Sequence, residues 1–200
     1  YLDILKDRLY ASAASSSEYR SARTTLYRIV DTLTRLIAPV LSFTADEIWQ
    51  RLPGERPVSV HLTSFPEVVT TDLDDALEAT YERLLKVRNE VSRQLEKARA
   101  EKLIGQSLEA KVVLQVPTEY HELLDRYLPL LPAYFIVSQV ELTKDPLATA
   151  ESTQVPGLKV RITSADGSKC ERCWNYATSV GDHDEHTTLC SRCVAALAAG

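Results

Sequence analysis

No cysteine occurs before Cys170 in this 200-residue chain, methionine is missing altogether, and no apolar run approaches the ~18 residues that span a membrane. The first absence excludes a small secreted scaffold stapled throughout by disulfides. The last leaves nothing in the sequence to cross a bilayer as a helix. No signal peptide opens the chain. It starts at Tyr1 inside a helical pattern and lacks methionine, so it reads as the C-terminal piece of a longer protein. The six glycines are scattered, and none builds a phosphate-cradling loop after a strand. No serine sits in a strand-to-helix nucleophile elbow either, so catalysis within these residues is not expected. Basic residues are in deficit, 23 Lys and Arg against 28 Asp and Glu, for a net charge of −5. Non-specific coating of DNA needs many phosphate contacts from a basic surface, so any nucleic-acid contact must be local.

What remains is ordinary for a globular chain, 44% hydrophobic and 26% charged, with room for one large domain or two to three small ones. The first part reads as helical. Leu2, Leu5 and Leu9 share a face of an opening helix to about residue 12, and residues 13–17 read as a loop. A second helix over 18–38 carries Ala22, Leu26, Ile29, Leu33, Leu36 and Ile37 mostly at three- and four-residue steps, until Pro39 interrupts. Thr44 and Glu47 fit a capping box for a third helix ending near Leu52, with Phe43 and Ile48 as its hydrophobic staple. Residues 58–62 alternate and predict a short extended piece. The acidic stretch around Asp72, Asp74 and Asp75 marks a boundary, giving a first domain over 1–68.

A long helix is predicted over 75–102, with Leu77, Tyr81, Leu84, Val91, Leu95 and Ala98 inward and Gly105 as its C-terminal cap. Strands are expected at 111–116, 139–143 and 158–163 and a helix at 118–128. Residues 129–138 fit helix or strand, and residues 145–156, with two prolines, read as an exposed loop. The fold class is therefore α+β, mainly α: a helical portion, a small α/β subdomain over 72–164, and a C-terminal module over 165–200. On the long helix, Arg83, Lys86, Arg88, Arg93, Lys97, Arg99 and Lys102 are interleaved with Glu82, Glu90, Glu96 and Glu101. That is the pattern of a solvated face laced with i,i+4 pairs more than of a phosphate-binding stripe. Arg28 and Arg35 on the second helix, and Lys6 and Arg8 on the first, fit an RNA-facing side or plain solvation equally well. His61 and His121 are isolated and fit surface or core positions.

The C-terminal module holds the strongest signal. Cys170-Glu-Arg-Cys173 and Cys190-Ser-Arg-Cys193 are two Cys-x-x-Cys hooks separated by sixteen residues. Each hook points two thiolates at one centre, and the loop between them lets the pair close the tetrahedral all-sulfur shell that structural zinc prefers. Two disulfides or a redox pair are the competing readings. A redox Cys-x-x-Cys opens a helix after a strand, which two matched hooks do not resemble. Four thiolates leave no position for water, so the zinc is expected to be structural. His183 and His186 lie in the loop as substitute ligands. Arg172 and Trp174 flank Cys173, placing a guanidinium and an indole on a backbone fixed by metal. An unpaired base can stack on one and hydrogen-bond to the other. Packing of Trp174 onto the finger's own core, with Arg172 in water, fits the residues as well.

Three blocks carry a resemblance. The first is Tyr1-Leu-Asp-Ile-Leu-Lys-Asp-Arg-Leu-Tyr10 with Leu36-Ile-Ala-Pro-Val-Leu-Ser-Phe-Thr-Ala-Asp-Glu-Ile-Trp49 and Leu52-Pro-Gly54. It looks like the later helices of the anticodon-binding domain of the bacterial-type isoleucyl-tRNA synthetases. Val87-Arg-Asn-Glu-Val91 and Lys102-Leu-Ile-Gly-Gln-Ser-Leu-Glu-Ala110 are similar to that family's C-terminal junction region, and the two hooks resemble its terminal zinc finger. The blocks follow the family's order and cover nearly the whole chain.

The resemblance implies one structural zinc on Cys170, Cys173, Cys190 and Cys193, and contact of Arg172 and Trp174 with the tRNA anticodon loop. It further implies a monomeric, cytoplasmic class I ligase whose partners are tRNA(Ile) and the remaining domains of the same polypeptide, with no membrane. ATP and magnesium belong to a catalytic domain whose His-x-Gly-His and Lys-Met-Ser-Lys-Ser type segments are absent here, as are editing-site sequences. No catalytic residue is therefore assigned. A finger of the formamidopyrimidine-type DNA glycosylases, a valyl or leucyl sister synthetase, and a protein-interaction module are the alternatives. The glycosylases act through an N-terminal proline that this chain does not offer, and the sister synthetases share the helices while the four-cysteine finger speaks for isoleucine.

Overall fold

The structure, a computed structural model, describes residues 1–149, 152 and 154–199. It forms two compact units, one of Ser15–Asp74 and one of Tyr1–Ala14 with Asp75–Gly200. The opening helix α1 (Leu2–Ala11) buries Leu5 and Ala11 and packs on a short helix of the larger unit, so it groups there rather than with the residues that follow it.

In the smaller unit, α2 (Ser17–Ile37) starts at Ser16, whose hydroxyl accepts the Tyr19 N–H as an N-cap. The expected inner face of α2 is corrected by the structure: Ala22 and Thr34 are buried, whereas Ile29, Leu33 and Leu36 are exposed. Within the unit α2 packs chiefly on α3 (Ser42–Arg51) and a 3₁₀ turn at Val60–Leu62, which leaves much of its apolar stripe uncovered. The capping box also fails. The Ala45 N–H already bonds to the Leu41 carbonyl, so Thr44 lies inside α3, and Phe43 is 94% exposed instead of stapling. Residues 58–62 are not extended: Val60 alone is buried, beside Ala38, Ala45 and Trp49. The Asp46 carboxylate accepts from the Ser59 hydroxyl at 2.7 Å and the Val60 N–H at 3.0 Å, curling the segment over α3. Those two bonds hold Asp46 below the usual carboxylate range. Trp49 donates to the Pro57 carbonyl, and the Arg56 and Arg35 guanidiniums lie 4.5 and 5.6 Å from its ring centroid.

The larger unit is organised by α4 (Asp75–Ala100), whose buried side is Leu84, Val87, Glu90, Val91, Leu95 and Ala98. Leu77 and Tyr81, expected inward, are exposed, and Tyr81 meets the rings of Tyr127 and Tyr134 edge-on. Lys102, at φ 59°, ends the helix in place of Gly105. The Leu103 N–H reaches the Ala98 carbonyl and the Lys102 N–H the Arg99 carbonyl, a Schellman pattern. Gly105 instead gives its N–H to Glu109.

Against α4 lies a three-stranded sheet ordered β2 (Gln139–Thr143), β1 (Ala110–Gln115), β3 (Lys159–Ser164). β1 is central and almost fully buried; it pairs parallel with β2, Val112 opposite Val140, and antiparallel with β3, Val112 opposite Ile162. The crossover between β1 and β2 carries α5 (Thr118–Tyr127), a 3₁₀ turn at Leu128–Leu130, and α6 (Leu131–Phe135), which settles the ambiguous 129–138 as helical and then turning. The segment 145–156 is not simply an exposed loop. Leu147, Ser152 and Val155 are buried, while residues 150, 151 and 153 lie outside the described residues. No helix among the described residues is long and apolar enough to cross a membrane.

The charged face of α4 is used inside the unit. Arg83 donates to the Glu119 carbonyl and stacks over Tyr120, and Arg88 donates to the Tyr134 carbonyl. Glu90, expected in solvent, is 3% exposed. Burial alone would raise its pKa, yet hydrogen bonds from Arg93, Gln94 and Ser152 outweigh that and lower it. Replacing Glu90 by Ala should cost about 1–3 kcal/mol, the scale for hydrogen bonds to a charged group, measured by urea denaturation at pH 7. Because the folded pKa is lowered, this contribution is present above the ordinary carboxylate value of ~4.3 and vanishes as pH falls through the lowered one. A wild-type advantage over Glu90→Ala that did not shrink as pH is lowered from 7 into the acid-unfolding range would contradict that account.

Candidate metal centre and its flanking residues

The finger begins with a two-stranded hairpin, β4 (Ser168–Lys169) paired with β5 (Tyr176–Ala177), and ends with α7 (Ser191–Ala198). Gly167 precedes β4 at φ +86°, and a Cβ there would fall 2.3 Å from the Ala177 carbonyl carbon and oxygen, so only glycine fits. The first hook occupies the turn between β4 and β5. The second opens α7, with Cys190 at its N-cap and Cys193 in the first turn, where helix polarity favours a thiolate.

The four sulfurs lie within 4.8 Å of one another, and no histidine joins the group among the described residues. Every cysteine is free of disulfides. A tetrahedron with zinc–sulfur arms of ~2.3 Å has sulfur–sulfur edges of ~3.8 Å. Cys173 Sγ and Cys190 Sγ are 3.8 Å apart, which fits that shell and lies far from a ~2.05 Å disulfide. His183 faces the Ser191 hydroxyl instead.

Backbone geometry prepares the thiols for metal. Burial would raise Cys170, but N–H groups of Cys173, Cys190 and Arg172 aimed at its sulfur bring its pKa down to about 6. Burial pushes Cys190 and Cys193 up, and the neighbouring Cys173 sulfur adds to the rise by opposing a second negative charge. A divalent ion reverses that balance, since thiolates must be deprotonated to ligate. The core of the finger is correspondingly small: the cysteines, Ala177, Val180 and Leu189.

Arg172 and Trp174 leave the first hook in different directions. Trp174, at φ 65°, is 57% exposed and stands outside that core, with the Lys169 ammonium 5.1 Å from its ring centroid. Arg172 is half-buried; its Nη1 donates to the Ala11 carbonyl and lies 3.6 Å from Cys193 Sγ. The sequence reading missed two residues beside the site. Arg192 makes a forked pair with Asp7, both contacts 2.7 Å. Only the repetition of Arg before the last cysteine of each hook could have signalled it. Elsewhere Arg28 pairs with Asp72, Arg35 with Asp31 and Lys6 with Asp3, while His61 and His121 join no metal-ligating cluster among the described residues.

Residues 1–114 match the family described as the anticodon-binding domain of tRNA ligase, and residues 167–196 match the zinc finger found in FPG and IleRS. The first match covers more than half the chain, and the chain belongs to the anticodon-binding domain family of tRNA ligases. Among curated relatives, the isoleucine–tRNA ligase of Syntrophotalea carbinolica is 56% identical over 198 residues, covering 98% of this chain and 21% of its own length. Those of Moorella thermoacetica and Persephonella marina are 46% and 44% identical, covering 96% and 98% of this chain and 21% of their lengths. The chain thus spans about a fifth of the relatives it matches. The finger family and the clustered thiols together support one structural zinc.

The chain should accordingly carry one zinc per molecule, measured by elemental analysis after gel filtration. Chelation should dismantle the finger and leave the helical circular-dichroism signal largely intact, because the finger's core is separate from the aliphatic core of α4 and the sheet. A metal-free protein with an ordered finger would overturn the assignment.

Proposed function

We propose that this chain is the tRNA-binding C-terminal region of an isoleucine–tRNA ligase. In that reading it positions tRNA(Ile) by the anticodon stem-loop while a catalytic domain outside these residues carries out ATP-dependent aminoacylation, with magnesium bound there. Similarity to isoleucine–tRNA ligases along nearly the whole chain carries the proposal. The anticodon-binding family supplies the tRNA, and the relatives' name supplies the isoleucine identity. A glycosylase-like finger or a protein-interaction module is less well supported, since neither accounts for the match over residues 1–114. A ligase of this class works as a cytoplasmic monomer, alongside its tRNA.

Within the finger, Cys170, Cys173, Cys190 and Cys193 are the zinc ligands. When bound, zinc supplies a rigid cross-link rather than a reacting group, because four thiolates fill its shell. Trp174 offers an aromatic face for an unpaired anticodon-loop base, with Lys169 close enough to meet a neighbouring phosphate. Arg172 holds the knuckle through Nη1 and contacts RNA with its remaining donors. Recognition contributes to catalysis only by holding the acceptor end of the tRNA in place for a distant site.

Stacking is worth about 1–3 kcal/mol per base, so Trp174→Ala in the full-length ligase should lower kcat/KM for tRNA by about ten- to a hundredfold. Arg172→Ala should act in the same direction. Zinc content measured beside the charging kinetics distinguishes reading from packing. Zinc lost from Trp174→Ala would favour a packing role, and unchanged charging would remove the stacking role.

A further inference from the structure

Each hook of the finger has the form Cys-x-Arg-Cys, and neither arginine is a metal ligand. Both reach the same helix. Arg192 grips Asp7 on α1 with Nη1 to Oδ2 and Nη2 to Oδ1, each 2.7 Å, and Asn175 Nδ2 stands 3.5 Å from Asp7 Oδ1. Arg172 donates to the carbonyl of Ala11 in the last turn of α1. That carbonyl has no partner within its helix, and a cation there is favoured by the helix dipole. Asp3, the other acid of α1, pairs locally with Lys6, which leaves Asp7 to the finger.

An exposed salt bridge is usually worth ~0–1 kcal/mol, so a single contact would mean little. Here the carboxylate is three-quarters buried, the Arg192 pair is bidentate, and the twin arginine of the other hook seats the end of the same helix. Arg172 also reaches Cys193 Sγ, so the contact with α1 runs into the metal shell itself.

We infer that Asp7 and Arg192 are positioning residues, a latch that fixes the zinc finger on α1 so that Trp174 is presented to RNA in one orientation. This rests on the proposed tRNA-positioning function and adds the device that sets the geometry. A misplacement of about 1 Å far from the chemistry can cost about a hundredfold, so a loosened finger harms productive tRNA use while the reacting groups stay intact.

The test uses the full-length ligase with Asp7→Arg, Arg192→Asp, the double charge reversal, and Asp7→Asn as a mild variant that keeps the shape of the side chain. Three readouts are taken: zinc per chain, amide hydrogen exchange over residues 5–11, and KM for tRNA against kcat. Each single reversal should keep one zinc, speed exchange at the end of α1, and raise KM for tRNA about tenfold with kcat changed less than about twofold. Asp7→Asn should fall between wild type and Asp7→Arg, and the double reversal should recover most of the loss. Unchanged exchange in Asp7→Arg would overturn the latch. Faster exchange with unchanged KM would overturn its positioning role, and a double reversal no better than the singles would show that the pair is not the operative contact. Failure of the underlying reading is separate: it would show as unaltered charging by Trp174→Ala, whereas exchange at α1 reports on the latch regardless.

Discussion

A segment of some thirty residues cannot bury enough apolar surface to hold itself together, and the finger over residues 167–196 has little beyond Ala177, Val180 and Leu189 around its cysteines. Convergence of four sulfurs is the constraint on which the rest of that module depends. Thiols packed this closely resist ionising together, and only a divalent ion makes the arrangement favourable. The N–H groups directed at Cys170 and the helix start at Cys190 lower the cost in advance. Once the sulfurs are pinned, the backbone between Cys173 and Asn175 is pinned too. That rigidity sustains Trp174 in a left-handed conformation which a bulky residue seldom adopts, with its ring turned out to solvent.

The pinned finger is also tied to the sheet. The Ser138 hydroxyl donates to the Leu108 carbonyl and accepts the Tyr176 N–H, so one side chain just before β2 joins the turn ahead of β1 to the β4–β5 hairpin. Gln139 exchanges two hydrogen bonds with the backbone of Asp166, and Lys111 bridges Glu141 and Asp166. These contacts span residues far apart in sequence and leave little freedom at the root of the finger. Its contacts with α1 are made through the two hooks and Asn175. A module with so small a core is thus joined to the rest of its unit by several polar contacts, which are directional where apolar packing is not.

Periodicity made most of the larger unit legible. The three strands fall within a residue or so of their expected limits, and α4 within two, because their apolar spacing reports a core that the chain itself supplies. The four cysteines were legible for a different reason: metal geometry fixes ligand spacing locally. What failed depended on partners distant in sequence. Glu90 looks like any surface glutamate until Arg93, Gln94 and the distant Ser152 hydrogen-bond to it in a buried position. Thr44 and Glu47 satisfy a capping pattern, but the turn after Ile37 starts α3 earlier and takes the choice away. The stripe of α2 was read as core from its period alone, although period reports an apolar face and not what covers it. Asp7 and Arg192, 185 residues apart, give no local sign of each other.

The charges bear on how a chain of net charge −5 can serve RNA. Many of its arginines are already committed: Arg83 and Arg88 to carbonyls of the α5–α6 region, Arg93 to Glu90, Arg28 and Arg35 to aspartates, Arg192 to Asp7. A continuous phosphate-binding stripe is therefore not available on α4. Binding that relies on few phosphate contacts releases few counterions, which makes it weak but also tolerant of salt and intolerant of the wrong loop. Under the proposed function, selectivity would rest on shape and stacking at a small number of points. In the proposed reading such a point is the exposed Trp174 indole beside Cys173, while the neighbouring Arg172 and Arg192 are taken up by contacts within the chain.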